Sequence, residues 1–140
     1  IVVNAKPIEE YRAWVEEQKR GEREAAAAAL AALNKDWSRD ELMAKGESVY
    51  QTNCLACHQA GGEGIPAAGF PALKDSAIAT GPVAGHLDIV MNGGKVNPAM
   101  AAYGPQLSDV DLAAVVTYER NAFGNATGDM VQPADVAAAR

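Results

Sequence analysis

From Pro7 onward, apolar residues recur at helical spacing. Ile8, Tyr11, Trp14 and Val15 share a face with Gln18, and Glu9, Glu10, Glu16, Glu17, Lys19 and Arg20 take the other. Ahead of them Ile1, Val2 and Val3 form a short β-branched run, read as the end of a strand stopped by Asn4 and Pro7. Gly21 interrupts the helical pattern at a cost of about 1 kcal/mol. Residues 24–35 then combine high helix propensity with little to bury, which suits a semi-rigid spacer. Ser38, Arg39, Asp40 and Glu41 make a capping box, with Trp37 and Leu42 placed as a hydrophobic staple. They predict a helix from Arg39 to about Asn53. Pro82 after Gly81 predicts another, to Met91, stopped by Asn92, Gly93 and Gly94. A third begins at Ser108, carries Val110, Leu112, Val115, Val116, Tyr118 and Glu119, and ends near Gly124. Residues 125–140 lack a strong period and read as a tail. The body is expected to be all-α, with long Gly/Pro loops and no internal repeat.

Composition changes the picture in one respect. The 49% hydrophobic content is inflated by alanine and only 6% is aromatic, so side chains alone make a thin core for 140 residues and something else is expected to fill the middle. Residues 1–45 carry both charge signs densely and sum to −1, whereas residues 46–140 are sparsely charged and sum to −5. The total of −6 argues against a nucleic-acid partner, which needs a basic surface. The longest apolar run, residues 25–33, is mostly alanine and far short of the roughly 18–20 residues of a membrane span. The fragment itself is therefore not expected to insert in a membrane. Opening on Ile1 rather than Met, the chain reads as a processed or excised piece.

Both cysteines fall in the pentapeptide Cys54-Leu55-Ala56-Cys57-His58. A thiol-redox pair would want a βαβ setting, which an all-α neighbourhood does not offer. A zinc site needs four good ligands, and beyond the cysteines only His58 and His86 are at hand. In the third reading, two thiols at this spacing add across the vinyl groups of a haem, and the adjoining His58 becomes the proximal iron ligand. A buried porphyrin would also supply the missing apolar volume. The second axial ligand should come from far along the chain, on a bendable segment. Met43 lies on the helix leading into the motif, Met91 falls on a helical stripe with Val83, Leu87 and Val90, and Met130 is in the tail. Met100, in the irregular stretch 93–104, is the candidate. His86 competes because imidazole binds ferric haem, but as a helical residue it reads as a surface or haem-rim histidine.

Over residues 38–124 the sequence resembles the class I cytochromes c. Gly46 and Tyr50, eight and four residues before Cys54, match the small and aromatic positions at which that family's first helix crosses its last, here near Leu112, Val115 and Tyr118. The resemblance implies the class I fold, helices around one covalently bound haem c, with an N-terminal helical extension here. It also implies that the Pro71 carbonyl orients the proximal His58 and that Leu73 lines the haem. The cofactor-binding set is then Cys54, Cys57, His58, Pro71, Leu73 and Met100, with His58 and Met100 on the iron. Gly61, Gly62, Ile65, Ala67 and Ala68 are expected on the rim of the exposed haem edge. Lysines are scarce around the motif, unlike in mitochondrial-type members, so docking through a lysine ring is not implied.

A second resemblance concerns the front of the chain. Residues 1–14, Ile1 to Trp14, look like the end of the copper-A domain of cytochrome c oxidase subunit II, which in caa-type bacterial oxidases continues into a cytochrome c domain. Stretches such as Phe70-Pro71-Ala72-Leu73, Gly81-Pro82-Val83 and Gln106-Leu107-Ser108-Asp109-Val110-Asp111-Leu112 are similar to the haem domains of that group. The implied division is 1–21 as the end of the copper-A domain, 22–37 as a helical Ala-rich linker, 38–124 as the cytochrome c domain and 125–140 as a tail. Copper ligands in that family precede Ile1, so no copper is expected in this fragment.

Methionine–histidine ligation leaves no open iron site and raises the potential relative to bis-histidine ligation. The leading expectation is thus a one-electron-transfer domain rather than an enzyme in itself. It would take electrons from an upstream cytochrome or bc-type complex and pass them to the copper-A centre of the same subunit. Such a parent would be membrane-anchored, on the periplasmic side of the bacterial inner membrane. The competing classes are a stand-alone periplasmic carrier and a haem sensor or peroxidase whose iron is not held by Met100.

Overall fold

Charged and alanine-rich positions dominate residues 8–33, and they form one unbroken helix, α1 (Ile8–Leu33). The computed structural model describes residues 3–94 and 99–140, which divide into two units, 1–34 and 35–140. None of the residues of α1 is buried. Its support is local: Arg12 pairs with Glu9 at 3.2 Å and Lys19 with Glu16 at 3.0 Å, each contact worth a few tenths of a kcal/mol at about 0.2–0.5. The Tyr11 and Trp14 rings sit 6.1 Å apart. The expected interruption at Gly21 is absent; the helix runs through it, and a Cβ there would meet nothing within 4 Å. One glycine costs too little to break a helix flanked by strong helix formers, so the backbone has no break at the expected 21/22 border. Of the strand expected at the start, Ile1 and Val2 lie outside the described residues and Val3 is irregular.

In the second unit the capping box forms as expected. The Ser38 hydroxyl accepts from the Glu41 amide at 3.3 Å and the Glu41 carboxylate accepts from the Ser38 amide at 3.0 Å, starting α2 (Arg39–Asn53). Trp37 packs against the core that contains the fully buried Leu42. A single turn, α3 (Leu55–His58), follows, then a 3-10 turn (Pro66–Ala68), α4 (Val83–Asn92) and α5 (Asp109–Asn121). Pro82 is the residue before α4 rather than its first. Among the described residues there is no strand, only an isolated bridge between Ile65 and Phe70.

The core lies where α2 crosses α5. A Cβ on Gly46 would stand 2.2 Å from the Ala114 carbonyl oxygen and 2.6 Å from the Tyr118 Cβ, so only glycine lets the two backbones come this close. Tyr50, Tyr118 and Phe123 close the crossing with ring centroids 5.0 to 5.6 Å apart, a separation at which aromatic pairs attract.

The C-terminal stretch, expected as a tail for want of a strong period, packs on the core instead. It forms α6 (Pro133–Ala139) and buries Val131 and Val136 completely or nearly so. The Val131 amide donates to Thr117 Oγ1 at 2.9 Å. The Gln132 side chain bonds the Trp37 backbone in both directions, each at 3.0 Å, and Arg140 reaches Asp109 at 2.6 Å and the Gly104 carbonyl at 2.9 Å. Two valines among alanines leave too faint a period to see in sequence, yet they seal the core.

Candidate functional site

The turn α3 places its side chains because α2 ends just before it. Cys54 caps α2, and its amide and that of His58 bond to the Tyr50 and Cys54 carbonyls at 2.9 Å each. After His58 the chain turns sharply at Gln59, which has φ 64. The Tyr50 hydroxyl donates to the Gln59 carbonyl at 2.6 Å and holds that turn. Cys54 and His58 are buried, Cys57 half-buried, and neither cysteine is in a disulfide. Burial pushes the Cys54 thiol well above its ordinary pKa, and the neighbouring Glu119 adds to this as a charge and as a hydrogen-bond partner.

His58 Nδ1 lies 2.9 Å from the Pro71 carbonyl oxygen. A carbonyl can only accept, so Nδ1 carries the proton and Nε2 is left with its lone pair. This is the arrangement of a histidine oriented as a metal ligand. The loop that delivers the Pro71 carbonyl is tightly tied. The Gly64 amide donates to the His58 carbonyl at 2.9 Å, and the Leu73 and Lys74 amides to the Gly62 carbonyl at 2.7 and 3.0 Å. Gly64 has φ +66, and a Cβ there would strike Phe70 and Pro71 backbone atoms at 2.5–2.6 Å. The Asn125 side-chain Nδ2 donates to the Leu73 carbonyl at 3.1 Å, fastening the loop from a distant part of the chain.

Cys54, Cys57, His58, Pro71, Leu73 and Met100 all line one cavity of about 570 Å³, within the range of cofactor pockets. Of the other methionines, Met91 is buried in the core and Met130 is exposed, as the sequence suggested, and neither they nor Met43 lines it. The segment carrying Met100 is pinned on both sides: the Gly94 amide donates to the Met100 carbonyl at 3.1 Å, and the Tyr103 and Gly104 amides donate to the Val90 and Met91 carbonyls at 3.0 and 2.9 Å. Residues 95–98 of the stretch 93–104 lie outside the described residues. The Tyr103 hydroxyl donates to the Asn53 carbonyl at 2.7 Å, linking this segment to the end of α2.

One expectation needs correction and another is narrowed. Gly62 is buried rather than on a rim: the Phe123 ring lies against it, where a Cβ would come within 2.6 Å of ring atoms. Gly61, Ile65, Ala67 and Ala68 are exposed. Of the two places expected for His86, the surface is excluded and the cavity side remains; it is 2% exposed, lines the cavity and is paired with Glu119. The signal was available in part, since Glu119 lies one helical turn after the buried Val115 and a carboxylate on that face needs a buried partner. Among the described residues no three His, Cys, Asp or Glu side chains gather to hold a metal ion, which leaves the zinc reading without a ligand set.

Residues 41–118, more than half of the chain, match the family model described as cytochrome c oxidase, cbb3-type, subunit III. The chain belongs to that family. It contains a cytochrome c domain with the all-α class I fold, and such a domain implies haem c and electron transfer. A 66-residue stretch is also 36% identical to the thiosulfate dehydrogenase electron acceptor of Thiomonas intermedia (strain K12), covering 47% of this chain and 30% of that protein. The residues of the cytochrome c domain fit the group it implies. The cavity walls are mainly apolar, two unpaired thiols reach it, and a histidine with a free Nε2 and a thioether stand in the same wall set. No helix among the described residues is long and apolar enough to cross a membrane.

Proposed function

We propose that Cys54 and Cys57 attach one haem c covalently, that His58 and Met100 ligate its iron, and that the chain relays single electrons to a copper-A centre in the same subunit of a terminal oxidase. In this reading residues 1–21 end the copper-A domain, 22–37 are the linker, 38–124 the cytochrome c domain and 125–140 its C-terminal extension. The observation that carries the site is the convergence of the six residues on one cavity, with His58 Nδ1 committed to the Pro71 carbonyl. The acceptor rests on the likeness of residues 1–14 to the end of a subunit II copper-A domain.

The bound haem supplies a one-electron couple. Cys54 and Cys57 would hold it through thioethers, each S–H adding across a vinyl group, sulfur to one carbon and hydrogen to the other, with no net oxidation. The Pro71 carbonyl holds the His58 ring in orientation through Nδ1. Met100, a soft thioether, would favour the ferrous state, and together with His58 would leave the iron no open position for oxygen. Electrons cross at the edge near Cys57 and the exposed Ile65, Ala67 and Ala68, a small, weakly charged surface suited to brief encounters. Tethering to the acceptor supplies effective concentration in place of charge steering. The donor is a cytochrome or bc-type complex, and the location is the periplasmic face of the bacterial inner membrane, where the parent is anchored.

The name of the Thiomonas relative favours a second reading, a stand-alone periplasmic carrier that accepts electrons from a dehydrogenase. The coding sequence ahead of Ile1 separates the two: copper ligands and a membrane anchor there support the oxidase reading and eliminate the free carrier. For the site, protein matured in a competent host should carry the mass of one attached haem and a low-spin spectrum with the sulfur-to-iron charge-transfer band. Met100→His should lower the midpoint potential markedly. An unchanged potential removes Met100 from the iron.

A further inference from the structure

A buried ionisable pair lies in the same cavity wall, and electron transfer as described so far does not use it. His86 on α4 is 2% exposed and Glu119 on α5 is 3% exposed, with Nε2 and Oε2 2.8 Å apart. Both line the cavity. His86 Nδ1 is buried and has no hydrogen-bond partner among the described residues. A carboxylate this deep survives only in company, and an unmatched ring nitrogen beside it is a costly arrangement that packing alone does not require.

We propose that His86 and Glu119 form a redox-linked proton site: the pair binds one proton from solvent when the haem iron gains one electron, and releases it on oxidation. The inference rests on the reading that Cys54, Cys57, His58 and Met100 hold a haem in this cavity. The electron comes from any one-electron donor, and the proton arrives at His86 Nδ1, whose lone pair is open while Nε2–H donates to the carboxylate.

The pair has two states one proton apart: imidazole with carboxylate, net −1, and imidazolium with carboxylate, net zero. Ferric iron carries one more positive charge than ferrous. In a low-dielectric wall that difference acts strongly, so the net −1 state favours ferric and the neutral-sum state favours ferrous. Reduction and protonation then strengthen each other by reciprocal linkage. Thioether formation reinforces this. Once Cys54 has no S–H to offer, His86 remains as the buried side-chain donor to Glu119.

Among the described residues, the other ionisable side chains lining the cavity are Cys54, Cys57, His58, Asp88 and Tyr103, and a bound haem would add its two propionates. The thiols are consumed in attachment and His58 on the iron. Tyr50 from α2, Tyr103 from the segment after α4 and Tyr118 on α5 also interact with Glu119, and burial raises the pKa of each, keeping it neutral. Asp88, half-buried on α4, accepts from the Asn92 amide at 2.8 Å. Arg120, next to Glu119 in sequence, spends its guanidinium on the Ala79 and Gly81 carbonyls and on Asp129.

Two measurements on the haem-loaded protein test the proposal: midpoint potential against pH, and proton uptake on reduction in unbuffered solution. Wherever the pair gains or loses its proton, the potential should fall with rising pH, by at most about 59 mV per unit for a one-electron couple. Protons should be taken up in matching amount. Glu119→Gln should raise the potential and flatten its pH dependence, while Asp88→Asn should keep the slope. A flat wild-type potential without proton uptake overturns the proposal, as does a slope that persists in Glu119→Gln or disappears in Asp88→Asn. Should Glu119→Gln not load haem, His86→Leu serves for the slope, and the wild-type uptake needs no variant. A protein without attached haem refutes the underlying site. A haem-bearing, low-spin protein with a pH-flat potential refutes only the proton coupling.

Discussion

Residues 1–34 and 35–140 contain helices held by opposite means. Helix α1 buries nothing and stands on alanine propensity and neighbouring ion pairs, whereas α2 and α5 are mediocre helix formers pressed together around Gly46. The same residue type shows the difference. Gly21 faces open space and does nothing that alanine would not do better; Gly46 is the contact itself. In the first unit sequence acts through the backbone, turn by turn. In the second it acts through shape, and so depends on whatever fills the cavity.

The largest effect should come from breaking that dependence. Replacing Cys54 and Cys57 by Ala, so that haem is not retained, should abolish the cooperative unfolding transition of the 35–140 unit while the helical signal of residues 8–33 in the same protein persists. Without the haem, the mainly apolar walls of a cavity of about 570 Å³ would face water, and the domain would lose the apolar burial that holds them together. Retention of a native-like transition in the haem-free variant would show that the side chains suffice. Gly46→Val should come next, destabilising the holoprotein by roughly 3 kcal/mol through overpacking, read from the denaturant midpoint. The matched change Gly21→Ala should move the other way and stay local: helicity of the 1–34 unit rises by the equivalent of about 1 kcal/mol, and the midpoint of the 35–140 unit does not move. If both glycines behave alike, the contrast between the units fails.

The smallest effect is at the capping box. Lys35 first, and Ser38 second, bring Glu41 from its ordinary 4.5 down to about 2. A carboxylate depressed in the folded state contributes stability above its unfolded pKa and loses it as pH falls through the folded one. The thermal midpoint of the wild type should therefore exceed that of Glu41→Gln fully above pH about 4.5, with the gap closing by pH about 2.

Which parts were legible follows from the same contrast. Features written in contiguous residues could be read directly: the Ser38–Glu41 cap of α2, the Ser108 start of α5, and the Cys54–His58 motif that led to one cavity. Features that exist only across the chain could not. Val131 and Val136 gain meaning from what they cover, Phe123 against Gly62 is a contact between distant loops, and the choice between surface and haem rim for His86 depends on Glu119, 33 residues away. Gly21 misled for the opposite reason: a local penalty was given more weight than the long run of helix formers around it.

Arg120 has one more consequence. Its guanidinium grips the carbonyls of Ala79 and Gly81 while its neighbour Glu119 meets His86. The acceptors are backbone carbonyls, which have no charge to lose, so this rivet holds the 79–81 stretch whatever the state of the neighbouring pair. Two consecutive residues of one helix thus divide the labour, the first an adjustable electrical setting and the second a fixed mechanical anchor, so the setting can change without the masonry around it shifting.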